Sequence, residues 1–259
     1  MPGEQLANKK LTFPVERPRG SQLAAKLRYW RSWTAAGAML LVIGIPGLLF
    51  SWLVRQRQWM YPLANFGALA WLKTCGARVK VTGIENLDPD TQYVFASNHR
   101  SYLDTATLFS YTGKRIGLVA KKELLKVPVL GQGMSFVNII AIDRSNPERA
   151  RRSMERAREV IADGYSFGVF VEGTRAMPGE LLPFKKGAFH LAIQTQVPIV
   201  PVAMKNTDRM MPKRSDAAYA GEIEMVILPP IPTTGKTADD LMDLLIRTRE
   251  AMVQELSRE

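Results

Sequence analysis

Tyr93-Val94-Phe95-Ala96-Ser97-Asn98-His99-Arg100-Ser101-Tyr102-Leu103-Asp104 runs from an apolar stretch through a polar corner into the opening of a helical pattern. The apolar part, Tyr93 to Ala96, reads as a short strand buried on both faces. Ser101 stands as a helix N-cap with Asp104 at the third helical position, the spacing of a capping box. His99 therefore falls at the corner where a strand stops and a helix starts.

Working outward, the same alternation repeats. Val79 and Val81, Ile116 to Ala120, Ile139 to Ile142, Phe167 to Val171, Ile199 to Ala203 and Ile223 to Leu228 read as strands, with helical patterns between them. The best-marked helix starts at Asn146-Pro147, a cap followed by proline at the first helical position, and ends at Gly164. Another runs from Thr237 to the end of the chain. Short buried strands alternating with helices predict an α/β fold whose mixed, largely parallel sheet is flanked by helices. This texture begins at about Ala77, so residues 77–259 are expected to form the α/β domain and residues 1–76 an N-terminal basic, membrane-associated segment.

Composition narrows the chemistry. Of the 259 residues one is cysteine and two are histidine, His99 and His190, and no zinc-ligand spacing occurs. Neither a disulfide, a metal nor a cofactor is expected. The net charge of +11 is concentrated in residues 1–60. Lys9, Lys10, Arg17, Arg19, Lys26, Arg28, Arg31, Arg55 and Arg57 face only Glu4 and Glu16 there. Cations beside an apolar stretch suit anionic phospholipids, whereas a nucleic-acid binder interleaves basic and aromatic residues on a folded face. No nucleic-acid partner is expected.

Thr34 to Val54 is uncharged and almost wholly apolar. Gly44, Pro46 and Gly47 interrupt it, and basic residues flank both ends. A membrane-embedded helical hairpin is expected, its second arm spanning roughly Gln58 to Cys75, rather than a single span with one basic end. Leu23, Leu27 and Trp30 recur at helical spacing with cations between them, as on a helix lying at a membrane surface. Residues 1–20, with three prolines, are expected to be a mobile tail.

Three signals bear on chemistry. A histidine with a carboxylate one helical turn beyond it makes a base with a partner that fixes its tautomer, although Asp104 alone would serve equally as a helix cap. Glu172-Gly173-Thr174-Arg175 follows an apolar strand and joins a glycine that permits close backbone approach to a guanidinium fork suited to phosphate. Gly164-Tyr165-Ser166-Phe167-Gly168 fits a nucleophile elbow but lies after a helix and before a strand, the reverse of the required context. His190 reads as a helix-face residue, Lys185 and Lys186 as either solvated or anion-facing, and Cys75 as an unactivated thiol.

In order and spacing, Asn98-His99 with Asp104, Lys121-Lys122-Glu123-Leu124, Ile142-Asp143-Arg144, Glu172-Gly173-Thr174-Arg175 and Val197-Pro198-Ile199-Val200-Pro201-Val202 resemble the motif series of the glycerolipid acyltransferases. Leu182 to His190 continues the likeness, which runs from Val79 to the C-terminus. The resemblance implies His99 as the base, Asp104 as its orienting partner, Arg175 as the phosphate ligand with Lys121 and Arg144 in support, and Glu172, Gly173 and Thr174 as the substrate-site loop. One departure stands out: the glycine and phenylalanine usual ahead of the Arg144 motif are Asn138 and Ala141 here.

The activity so implied is transfer of a fatty acyl group from an acyl thioester, acyl-CoA or acyl carrier protein, to the 2-hydroxyl of lysophosphatidic acid, giving phosphatidic acid. The site would lie on the cytoplasmic face of the cell membrane. Another lysophospholipid as acceptor, or hydrolysis of the thioester, is the alternative.

Overall fold

The computed structural model describes residues 9–55, 59–142 and 147–258. Seven strands form one sheet in the order β2 (Ala77–Thr82), β9 (Gly221–Ile227), β8 (Ile199–Lys205), β3 (Val94–Ser97), β6 (Ser166–Phe170), β4 (Ile116–Lys121) and β5 (Ile139–Ile142). Every neighbouring pair is parallel except β8 with β9. The expected strands are all present to within a few residues, and the mixed, largely parallel sheet is the observed one.

Period-two alternation assigns the side chains to two cores. Val94, Ala96, Phe167, Ile199 and Ala203 meet helices α4 (Pro147–Ala162), α5 (Gly187–Thr195) and α6 (Leu241–Leu256) on one face. Phe95, Leu118, Val200, Val202 and Met225 meet α3 (Leu103–Tyr111) and α2 (Met60–Thr74) on the other. Chain leaving β3 crosses by α3 on the second face, while chain leaving β6 crosses by α5 on the first. The loops after these adjacent strands therefore diverge, and such a switch point opens a crevice at the carboxyl edge of a sheet.

The N-terminal region differs from expectation in two ways. Gly44, Pro46 and Gly47 do not divide the apolar run: Gln22–Leu53 is one helical run of 32 residues, α1, with a π-helical turn at Leu40–Gly44. Pro46 sits in the first turn after it. The wider i→i+5 turn accommodates the missing N–H and the proline ring, which a regular α-turn at that point would not. Gly47 serves a close approach instead, since a Cβ added there would collide with Leu63 of α2. The rings of Trp33 on α1 and Trp71 on α2 meet at 5.4 Å farther along the pair.

The second correction concerns the expected mobile tail. Leu11–Thr12 (β1) pairs antiparallel with Glu180–Leu181 (β7), and Arg249 donates to the Lys9 carbonyl, so residues 9–12 are fastened across the molecule. The cations ahead of the apolar stretch are likewise engaged. Arg28 donates to the Ala218 carbonyl and Arg31 to that of Thr74. Leu23, Leu27 and Trp30 keep more than half of their surface exposed.

Candidate active site

The corner after β3 is held from three directions. The Asn98 side chain clamps the Met204 backbone of β8, donating to its carbonyl at 2.9 Å and accepting from its N–H at 2.7 Å. His99 N–H donates to Glu172 Oε1 at 2.7 Å, and Leu182 N–H donates to Glu172 Oε2 at 2.7 Å. Ala176 N–H donates to the His99 carbonyl at 2.7 Å. The buried Glu172 thus ties the loop after β3 to the loop after β6. Burial is the largest influence on its carboxyl and pushes it up to about 7, against the lowering pull of the two N–H donors.

His99 Nδ1 lies 2.9 Å from Asp104 Oδ2. The same oxygen accepts from the Arg100 N–H at 2.6 Å and the Ser101 N–H at 2.8 Å. Helix α3 begins at Leu103, and Ser101 Oγ accepts from the Leu103 N–H at 3.3 Å. The capping role and the histidine-steering role therefore belong to one carboxylate oxygen. Asp104 is fully buried, while the His99 side chain remains 15% exposed. The imidazole lies on the Phe170 ring with centroids 3.9 Å apart and planes 15° from parallel. An Nδ1–H donated to Asp104 leaves Nε2 as the proton acceptor on the open side.

In Glu172-Gly173-Thr174-Arg175, Gly173 has φ +71°, a left-handed corner that a side chain disfavours. Thr174 is exposed at the tip. The Arg175 guanidinium carbon then lies 3.6 Å from the centroid of Tyr102, three residues past His99. One face of the guanidinium is thus spent on the ring, and its edge carries no carboxylate among the described residues. That edge is a donor fork beside the base.

Lys121 ends β4 opposite Ile142 of β5, at the same carboxyl edge. Arg144 lies outside the described residues. Asn138, at the position where glycine was expected, has φ +57°, and asparagine is the residue other than glycine that tolerates this conformation best. The departure from the motif therefore preserves the backbone turn.

Sequence reasoning missed Arg100 and Asp208. Arg100 is 5% exposed, with Nε donating to the Glu180 carbonyl at 2.7 Å and Nη1 3.4 Å from Asp208 Oδ2. Asp208 Oδ2 also accepts from the Gly179 N–H at 2.8 Å. A cation next to a candidate base was the available signal, but nothing local says that it turns inward. It missed Phe170 too, because stacking between the loop after β3 and the last residue of β6 leaves no mark on sequence spacing. The remaining candidates separate cleanly. Ser166 Oγ accepts from the Tyr93 N–H at 3.1 Å in β6, so the elbow-like word is a strand start. His190 is exposed on α5 and Cys75 is buried. No cluster able to hold a metal ion occurs among the described residues.

Residues 78–205 match the family model described as Acyltransferase. The human 1-acyl-sn-glycerol-3-phosphate acyltransferase alpha is 38% identical over 179 residues, 69% of this chain and 63% of that protein. The chloroplastic 1-acyl-sn-glycerol-3-phosphate acyltransferase BAT2 of Brassica napus is 37% identical over 168 residues, 64% of this chain and 48% of that protein. The chain thus spans less than two thirds of the length of these relatives. The crystal structure of the 1-acyl-sn-glycerophosphate (LPA) acyltransferase from Thermotoga maritima has a TM-score of 0.77. It covers 92% of this chain and 98% of its own at 24% identity, a likeness of fold.

Proposed function

Residues 78–205 belong to the acyltransferase family, and from that premise we propose that the protein moves a fatty acyl group from an acyl thioester to the 2-hydroxyl of lysophosphatidic acid. The observation that carries the reading is the buried Asp104 carboxylate held on His99 Nδ1 at the sheet's carboxyl edge, with the Arg175 fork beside it. His99 Nε2 takes the hydroxyl proton as that oxygen attacks the thioester carbonyl; the carbon–sulfur bond breaks and the thiolate leaves. Asp104 stabilises the imidazolium so formed. Arg175 holds the acceptor's phosphate, supported by Lys121 and Arg144. Glu172, Gly173 and Thr174 shape the loop that presents Arg175. Binding both substrates together supplies proximity, and no covalent enzyme intermediate is needed.

The acceptor and the product are lipids, which gives the helical arm a use. Leu41, Val42, Leu49, Phe50, Trp52 and Leu53 of α1 and Trp59 and Phe66 beside or on α2 are exposed to a degree that water does not favour. In our reading residues 1–76 seat these side chains in one leaflet on the cytoplasmic side, and residues 77–259 carry the chemistry. Anionic phospholipids then meet the cations nearby. Acyl-CoA or acyl carrier protein serves as donor.

The test is a mass-spectrometric assay of the purified protein with an acyl-CoA and a panel of lysolipids. Phosphatidic acid formed in step with thioester cleavage supports the proposal. Preference for a different lysolipid would move the acceptor, and cleavage at the same rate without any lysolipid would make the protein a thioester hydrolase.

A further inference from the structure

A cavity of about 400 Å³ lies where the segment before α1, the first residues of β2 and β9, and the short helix Thr207–Met210 meet. Arg17, Arg19, Arg78 and Arg209 line it, with Tyr219 and Glu16. Arg209 Nη1 lies 2.6 Å from Glu16 Oε2, and that glutamate side chain is 68% exposed. Arg17, Arg19 and Arg78 have no ion-pair partner among the described residues. Guanidinium groups gathered in one concavity repel each other, and a single carboxylate does not neutralise them. The arrangement is favourable when a polyanion fills it.

Its position relates it to the base. Because β9 runs antiparallel to β8, and β2 parallel to β9, the first residues of β2 and β9 lie at the same edge as the His99 loop. Two strand steps separate β3 from β9 and three separate it from β2, or ~10 to ~15 Å at ~4.8 Å per step. The cavity wall is also linked to the base through the chain: Asp208, the neighbour of Arg209, holds Arg100, the neighbour of His99.

We propose that this cavity binds the phosphorylated nucleotide end of a coenzyme A thioester, the donor of the acyl-transfer reading on which the inference rests. Coenzyme A joins its sulfur to a nucleotide bearing three phosphate groups through an arm with two amide units. That arm is comparable with four to five extended residues, ~15 Å, which matches the span from His99 to the cavity. Three phosphates answer three unpaired guanidinium groups, and the purine has the Tyr219 ring. The acceptor's single phosphate is held at Arg175, where its hydroxyl meets His99, so it has no call on this cavity.

The full chain in detergent micelles, titrated calorimetrically with adenosine 3′,5′-bisphosphate, binds it, and Arg17→Ala/Arg78→Ala weakens that binding by about tenfold or more. The double variant raises KM for acyl-CoA by a similar factor and KM for lysophosphatidic acid by less than about twofold. Arg19→Ala acts in the same direction, less strongly. With an acyl-N-acetylcysteamine thioester, which lacks the nucleotide, variant and parent converge. Equal losses with both donors would mean a structural role and overturn the proposal. So would weakened binding to phosphatidylglycerol vesicles with bisphosphate affinity intact, which would assign the cavity to lipid headgroups. Turnover from acyl carrier protein without bisphosphate binding overturns the inference and leaves acyl transfer standing. Bisphosphate binding without transfer from any donor overturns the acyl-transfer reading, and the donor assignment with it.

Discussion

The carboxyl edge of β3 and β6 and the far half of α1 invert the usual distribution of side chains in opposite senses. At the sheet edge Asn98, Ser101, Asp104 and Glu172 are buried polar groups, and each is matched to a backbone donor or acceptor. On α1, Leu49 is 61% and Trp52 76% exposed. Buried polar groups are costly unless satisfied, so the first region is rigid by construction and its geometry is chemically meaningful. An exposed apolar face is costly in water and favourable in lipid, so the second region states a preference for a solvent. In the proposed function the first region does the chemistry through precise donors, and the second chooses where that chemistry takes place.

Removing the base is the sharpest break. His99→Ala is expected to lower kcat by roughly two to four decades with the fold intact, measured as phosphatidic acid formed per enzyme at saturating substrates. Asp104→Asn is expected to lose more than about tenfold in turnover and also ~1 to 3 kcal/mol of stability. The amide keeps an acceptor for the three donors on Oδ2 but loses the charge, and its nitrogen falls where Asp104 Oδ1 has no partner among the described residues. Unchanged denaturation with lost turnover would show that the steering role outweighs the capping one.

Arg175→Ala should raise KM for lysophosphatidic acid about ten- to hundredfold, more than KM for the acyl donor. Equal effects on both would make the guanidinium a support for Tyr102 only. In the other region, Leu49→Ser with Trp52→Ser should weaken partitioning into vesicles by about a hundredfold or more, at ~25 cal/mol per Å² over at least ~110 Å² of apolar area withheld from lipid. Flotation of the purified variants measures this, and unchanged partitioning would move the membrane contact elsewhere.

The smallest expected effect is on pH dependence. The Glu172 carboxyl is raised from 4.5 to about 7 in the folded chain, so folding favours its protonated form. Stability contributed this way is fully present below pH 4.5, falls as pH rises toward 7 and levels off above it. Thermal melts of the parent should therefore drop by a few degrees across that window, and Glu172→Gln should flatten the slope while melting lower overall. The amide offers one acceptor where two N–H groups need one each. A parent melt that rises through the window would reverse the sign and refute the assignment.

Most of the sheet was legible because each strand is a short apolar run bounded by turn residues, and burial on both faces is written locally. The contact between His99 and Asp104 was legible for a similar reason: only five residues separate them, across a single strand-to-helix corner. Glu172 was read as a loop residue for substrate, whereas its two oxygens bind backbone on either side of the site. Arg100, Phe170 and the pairing of Leu11–Thr12 with Glu180–Leu181 depend on segments far apart in the chain. The break expected at Pro46 failed because a proline signal specifies only a missing N–H and a steric demand, and a π turn satisfies both within a continuous helix.

The sequence by itself determined the alternation of strand and helix, the basic and apolar character of the N-terminal region, and the placement of a histidine and an aspartate at one corner. Periodicity and short spacing are local properties, and local sterics and solvation enforce them. Tertiary structure alone decided which loops face each other: that Glu172 would bridge to the His99 backbone, that Arg175 would lie over Tyr102, and that four arginines from three separate segments would share a cavity. Those contacts are set by strand order and crossover side, which no single stretch of chain encodes.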